Sequence, residues 1–130
     1  MDDFEIKVIN DVIVVIVTLS RATYKEAGEL KKTLNEYIEK RFKKIVVDIR
    51  TCEFIDSTFL GVLVFSLKSA AKIGGDVRII QPGSIVRTLM EKVGTIKVFN
   101  VFDTIEDAVE SYSSCEMSNH YVPGNNDIFI

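Results

Sequence analysis

The sequence predicts a single α/β sandwich with a mixed, mostly parallel sheet, an opening antiparallel hairpin and about four helices. Three observations carry this. The chain is 130 residues long and 47% hydrophobic, enough for one ordinary core and no second domain. It opens on two adjacent β-type runs joined by Asn10-Asp11. After them, strand-like and helix-like periodicities alternate to about Tyr112, so the order reads β-β-α-β-α-β-α-β-α. Strands separated by helices lie parallel through right-handed crossovers, and the hairpin adds an antiparallel edge.

Each element has its own justification. FEIKVI (Phe4 to Ile9) alternates apolar and polar residues, and VIVVIVTL (Val12 to Leu19) is nearly all apolar and β-branched. Thr23 and Glu26 stand in the spacing of a capping box. Ala27, Leu30, Leu34, Tyr37 and Ile38 then form a stripe of helical period, which predicts a first helix over Tyr24 to Lys40. KIVVDIR (Lys44 to Arg50) reads as a buried strand. From Ser57 to about Ile73, apolar residues at 60, 63, 64, 67, 70 and 71 predict a second helix, stopped by Gly74-Gly75. VRII (Val77 to Ile80) is a further strand, and Ser84 is placed to cap a third helix closed by Gly94. VFNVF (Val98 to Phe102) reads as the last strand and Asp103 as the cap of the last helix. The domain thus covers 1–112, and 113–130 is a polar tail, expected to be weakly ordered, that carries Pro123-Gly124 and ends in Ile128-Phe129-Ile130.

Composition narrows the function. The formal charge is −3 with both signs interspersed, so no basic stripe is present to track phosphates or anionic lipid, and neither nucleic acid nor membrane is an expected partner. The longest apolar run is too short to span a bilayer and MDDFE is unlike a signal peptide, which predicts a cytoplasmic protein. Cys52 and Cys115 are far apart with no CxxC partner and no clustered histidines, so two reduced thiols and no metal site are expected. A serine nucleophile needs a nearby base, and the only histidine, His120, lies in the tail. An aspartyl phosphate on Asp48 would need neighbouring strand-end acids to hold magnesium, whereas Asp2-Asp3 open the first strand.

The informative stretch is FIDSTFLGVLVF, Phe54 to Phe65. It puts Asp56, Ser57 and Thr58 where a parallel strand ends and a helix begins, the edge at which sites gather in open α/β sheets. Two readings stand. Either Asp56 or Ser57 simply caps the helix, or the Ser57 hydroxyl is a phosphoacceptor whose dianion the helix dipole favours and the Asp56 carboxylate opposes. Phe59 and Val62 raise a parallel choice, since Phe59, Val62 and Phe65 make the helix apolar on a second side. They are covered by flanking elements, or Phe59 stays partly exposed as an aromatic anchor beside Ser57.

The run from VVDIR through DSTFLG, Gly74-Gly75 and VFNVFDTIEDAV resembles the core of a STAS domain, the fold of bacterial anti-sigma factor antagonists. The resemblance implies a protein that binds an anti-sigma factor with serine kinase activity, is released by phosphorylation of the serine after the motif's Asp, here Ser57, and is restored by a serine phosphatase. It places the partner surface at Thr23, Asp56, Ser57, Thr58, Phe59 and Val62. It implies no cofactor, since the ATP belongs to the kinase. Many members carry Asp where this sequence has Thr23, and Gly or Ala where it has Phe59. A STAS adaptor working through constitutive contacts and a small α/β hydrolase using Ser57 are the rival readings.

Overall fold

The computed structural model describes residues 3–114. The strands are β1 (Phe4–Ile9), β2 (Val12–Val17), β3 (Arg21–Ala22), β4 (Lys44–Asp48), β5 (Phe54–Ile55), β6 (Asp76–Ile80) and β7 (Val101–Phe102). The helices are α1 (Tyr24–Glu39), α2 (Ser57–Lys72), α3 (Ser84–Lys92) and α4 (Ile105–Ser114), with a 3-10 turn at Thr95–Val98. The main sheet has the order β1-β2-β4-β6-β7, antiparallel only between β1 and β2. Asn10 and Asp11 both adopt positive φ, 53° and 68°, as the tight hairpin requires.

The sheet's two faces are covered unequally. Ile13, Val15, Ile45, Val47, Val77 and Ile79 point into the larger core, which α1, α2 and α3 close with residues such as Leu30, Leu34, Phe59, Leu63 and Met90. The opposite rows, Val12, Val14, Val46 and Ile80, are met by α4 through Ala108, Val109 and Tyr112. The Tyr112 hydroxyl lies 2.8 Å from the Ile45 carbonyl and 2.7 Å from that of Asp76, so it ties α4 to the start of both β4 and β6. Unbroken β-branched runs in β2 and β4 are what a strand buried on both faces needs.

Several local expectations are corrected. α3 begins at Ser84 itself, with Gly83 at the cap position and no side-chain cap. Thr104, not Asp103, caps α4, its Oγ1 accepting from Asp107 N at 3.0 Å. VFNVF is a strand only over Val101–Phe102, because only these residues pair with Ile79 and Ile80 while Val98 closes the 3-10 turn. α4 ends at Ser114. The tail beyond it, with Cys115, His120 and Ile128-Phe129-Ile130, lies outside the described residues.

Candidate functional site

Two strands too short to show any periodicity build the site. β3 and β5 pair in parallel, Arg21 with Phe54 and Ala22 with Ile55, in a separate two-stranded sheet. Glu53 N donates to Ser20 O at 2.7 Å and Asp56 N to Ala22 O at 3.1 Å, extending the ladder at both ends. Since α1 follows β3 and α2 follows β5, this ladder brings the heads of the two helices side by side.

Asp56 joins them. Its Oδ1 accepts from Phe59 N at 2.9 Å, capping α2, and its Oδ2 accepts from Tyr24 N at 2.8 Å, at the first residue of α1. One carboxylate thereby satisfies an otherwise unpaired N–H on each helix and sets a negative charge at the positive end of both dipoles. Thr23 is engaged in its own capping box: its Oγ1 accepts from Lys25 N at 3.2 Å and donates to Glu26 Oε1 at 3.2 Å, while Thr23 N donates to Glu26 Oε1 at 2.9 Å.

Ser57 and Thr58 are treated differently. They are the first two residues of α2, both side chains are exposed, and among the described residues neither hydroxyl makes a hydrogen bond. Because Asp56 takes the Phe59 N–H, the N–H groups of Ser57 and Thr58 are left among the uncommitted donors of the first turn. An anion carried by Ser57 would meet those donors and the helix dipole on one side and the Asp56 carboxylate on the other.

Phe59 is not an exposed anchor. It is 0% exposed and its ring stacks on Phe4, centroids 6.5 Å apart. Val62 is half-buried against the same core. The second apolar side of α2 is thus covered at its Phe59 and Val62 end, whereas Phe65, a turn and a half further on, stays 45% exposed with Lys31 Nζ 4.6 Å from its ring centroid. The exposed aromatics near Ser57 are instead Tyr24, 66% exposed, and Phe54, 37% exposed with the Arg21 guanidinium 4.5 Å from its ring centroid. Neither carried a periodic signal in the sequence: Tyr24 is the first residue of α1 and Phe54 stands in a strand of two residues.

Other reactive groups are tied into structure. Asp48 is 4% exposed and held by Arg50, whose Nη2 lies 2.7 Å from Oδ2 and whose Nε donates to Oδ1 at 3.1 Å. Donating these hydrogen bonds to the Asp48 carboxylate raises the Arg50 pKa further. Burial, helped by the Asp48 charge, pushes the Cys52 thiol up to about 12, so it is protonated and unreactive near neutrality. Among the described residues no group of His, Cys, Asp and Glu could hold a metal ion, and no helix is long and apolar enough to cross a membrane.

A mixed sheet with one antiparallel hairpin, four helices, and a polar turn at the head of the second helix define a small α/β domain, and comparison assigns its family. The chain belongs to the STAS domain family, whose match covers residues 3–108. Among curated relatives, a candidate anti-sigma factor antagonist from Thermotoga neapolitana is 30% identical over 82% of this chain and 95% of its own length. A crystal structure of a candidate anti-sigma factor antagonist from Thermotoga maritima superposes with a TM-score of 0.73 at 30% identity, covering 83% of this chain and 92% of that one. The Bacillus cell fate determinant SpoIIAA in its phosphorylated form shares the fold at 14% identity, with a TM-score of 0.67 over 84% of this chain and 98% of that one.

Proposed function

We propose that this protein is an anti-sigma factor antagonist of the cytoplasm. In its unphosphorylated form it binds an anti-sigma factor that is also a serine kinase, phosphorylation on Ser57 ends that binding, and a serine phosphatase restores it. The observation that carries the reading is the Ser57 hydroxyl itself. It is exposed at the head of α2, while the neighbouring Thr23 hydroxyl is occupied in a capping box and Asp56 is spent on two helix heads. The partner surface comprises Thr23, Asp56, Ser57 and Thr58 with Tyr24 and Phe54 as its aromatic contacts, in place of Phe59 and Val62. Aromatic side chains beside a polar switch suit an interface whose apolar contacts supply affinity and whose one neutral hydroxyl supplies control.

Phosphorylation would act without unfolding the domain. The dianion is tolerated by the first turn of α2, but an interface formed over a neutral hydroxyl must bury or repel it. No cofactor of this chain enters the scheme, because the kinase brings its own ATP. The test is incubation with the cognate kinase and ATP followed by mass spectrometry of the product. Phosphate on Ser57, absent from Ser57→Ala, is expected. Phosphate on Thr58 alone, or none, contradicts the assignment.

A further inference from the structure

The open edge of β1 carries the pattern of a strand that pairs with a second copy of itself. β1 ends the order of the main sheet, and among the described residues no strand pairs with its outer side. Its hydrogen-bonding phase is fixed: Thr18 N donates to Asp3 O at 2.9 Å, and the β1–β2 register couples Glu5 with Ile16 and Lys7 with Val14. In an antiparallel ladder the backbone groups alternate, so Glu5 and Lys7 turn theirs toward β2, and Phe4, Ile6 and Val8 turn their N–H and C=O groups outward. The side chains alternate as well. Phe4 and Ile6 lie on the face of the larger core, Val8 continues that row at 63% exposure, and Glu5 and Lys7 are exposed on the opposite face.

We infer that β1 is a homodimer edge, pairing antiparallel with β1 of a second copy about a two-fold axis through Ile6. In that register Ile6 faces Ile6 of the second copy and Phe4 faces its Val8, which satisfies the outward backbone groups of each. Glu5 then faces Lys7 of the second copy, and Lys7 its Glu5, so both cross-strand charge pairs are attractive. Shifting the axis to Lys7 sets Lys7 against itself, and shifting it to Glu5 sets Glu5 against itself. Like charges directly opposite destabilise a sheet, and an axis between two residues would put the apolar row of one copy on the charged face of the other. The Ile6 axis is therefore the register that both pairs the charges favourably and engages all of the outward-facing residues Phe4, Ile6 and Val8. A groove between β1 and α1, lined by Phe4, Ile6, Glu29 and Thr33, leaves room beside the edge for the side chains a paired strand brings. Such pairing gives a closed, isologous dimer and covers the exposed edge of the sheet.

The test is sedimentation equilibrium of the full chain and of two charge variants. Unmodified protein should show a monomer–dimer equilibrium. Glu5→Lys alone and Lys7→Glu alone each create like-charge pairs across the axis and should weaken dimerisation at least about tenfold. Mixing the two variants sets opposite charges against each other on both sides of the axis, so a heterodimer should form with nearly the original affinity. Circular dichroism of each variant checks that the fold is kept. A chain that stays monomeric at all concentrations, a dimer indifferent to both variants, or variants that fail to recombine would overturn the inference, the last two by placing the contact elsewhere.

Discussion

Removing the Asp56 carboxylate strips the heads of α1 and α2 of one hydrogen bond each and deletes a charge favourable to both dipoles. A lone N-cap costs about 1 kcal/mol, so Asp56→Ala should cost about 2 kcal/mol in urea unfolding, and a loss of only about 1 kcal/mol would show that the bond to Tyr24 N contributes nothing. The capping box of Thr23 and Glu26 was legible in the sequence because it is local. The second bond of Asp56 was not, since it reaches across to Tyr24 only after β3 and β5 have paired. Phe59 was ambiguous for a similar reason: helical periodicity placed it on a second apolar side, and only the position of Phe4 shows that Phe59 itself is interior. Cys52 offers a pH test. Its thiol titrates at about 12 in the fold against 9.0 in its ordinary state, so the native chain holds the proton over that interval. The contribution is complete below the unfolded value and is lost as pH rises through the folded one. Unfolding free energy should therefore fall more steeply from about pH 9 to about pH 11 in the unmodified protein than in Cys52→Ala, and parallel slopes would contradict the burial effect.

At the scale of elements, the junction from α2 to β6 shows what the sequence hides. Gly74-Gly75 was legible as a helix stop, and Gly74 fills that role with φ at 82°. Gly75 is there for a different reason. A Cβ on it would stand 2.5 Å from Lys43 O and 2.8 Å from Lys43 Cα, both backbone atoms at the entry to β4. The close approach lets Asp76 N donate to Lys43 O at 2.9 Å and start the β4–β6 ladder. Gly75→Ala should thus destabilise the fold by about 1 to 3 kcal/mol, measured by thermal or urea unfolding, and a neutral result would mean that the strand entry is freer to shift than its contacts indicate. The last strand was over-read because VFNVF carries β-type residues throughout. The turn at Thr95–Val98 consumes its start, and backbone pairing with β6 holds only Val101–Phe102.

Across the whole molecule, the mixed, mostly parallel sheet and the α/β layering were legible because alternating strand and helix periods, with one hairpin, leave few right-handed topologies. The small β3–β5 sheet was not, since two residues per strand give no period to read. That sheet is what turns two helix heads into one surface, with Asp56 inside it, Ser57 and Thr58 on it, and Tyr24 and Phe54 beside it. Under this surface Ile55, Phe59, Leu60 and Leu63 are buried in the larger core, so a charge added at the exposed Ser57 is expected to change the surface more than the fold. The most direct measurement is titration calorimetry of the proposed anti-sigma kinase against Ser57→Ala and Ser57→Asp. The alanine variant should bind like the unmodified protein, and the aspartate variant at least about tenfold more weakly with an unchanged melting temperature. Equal affinities for the two variants would contradict a switch based on charge at the head of α2.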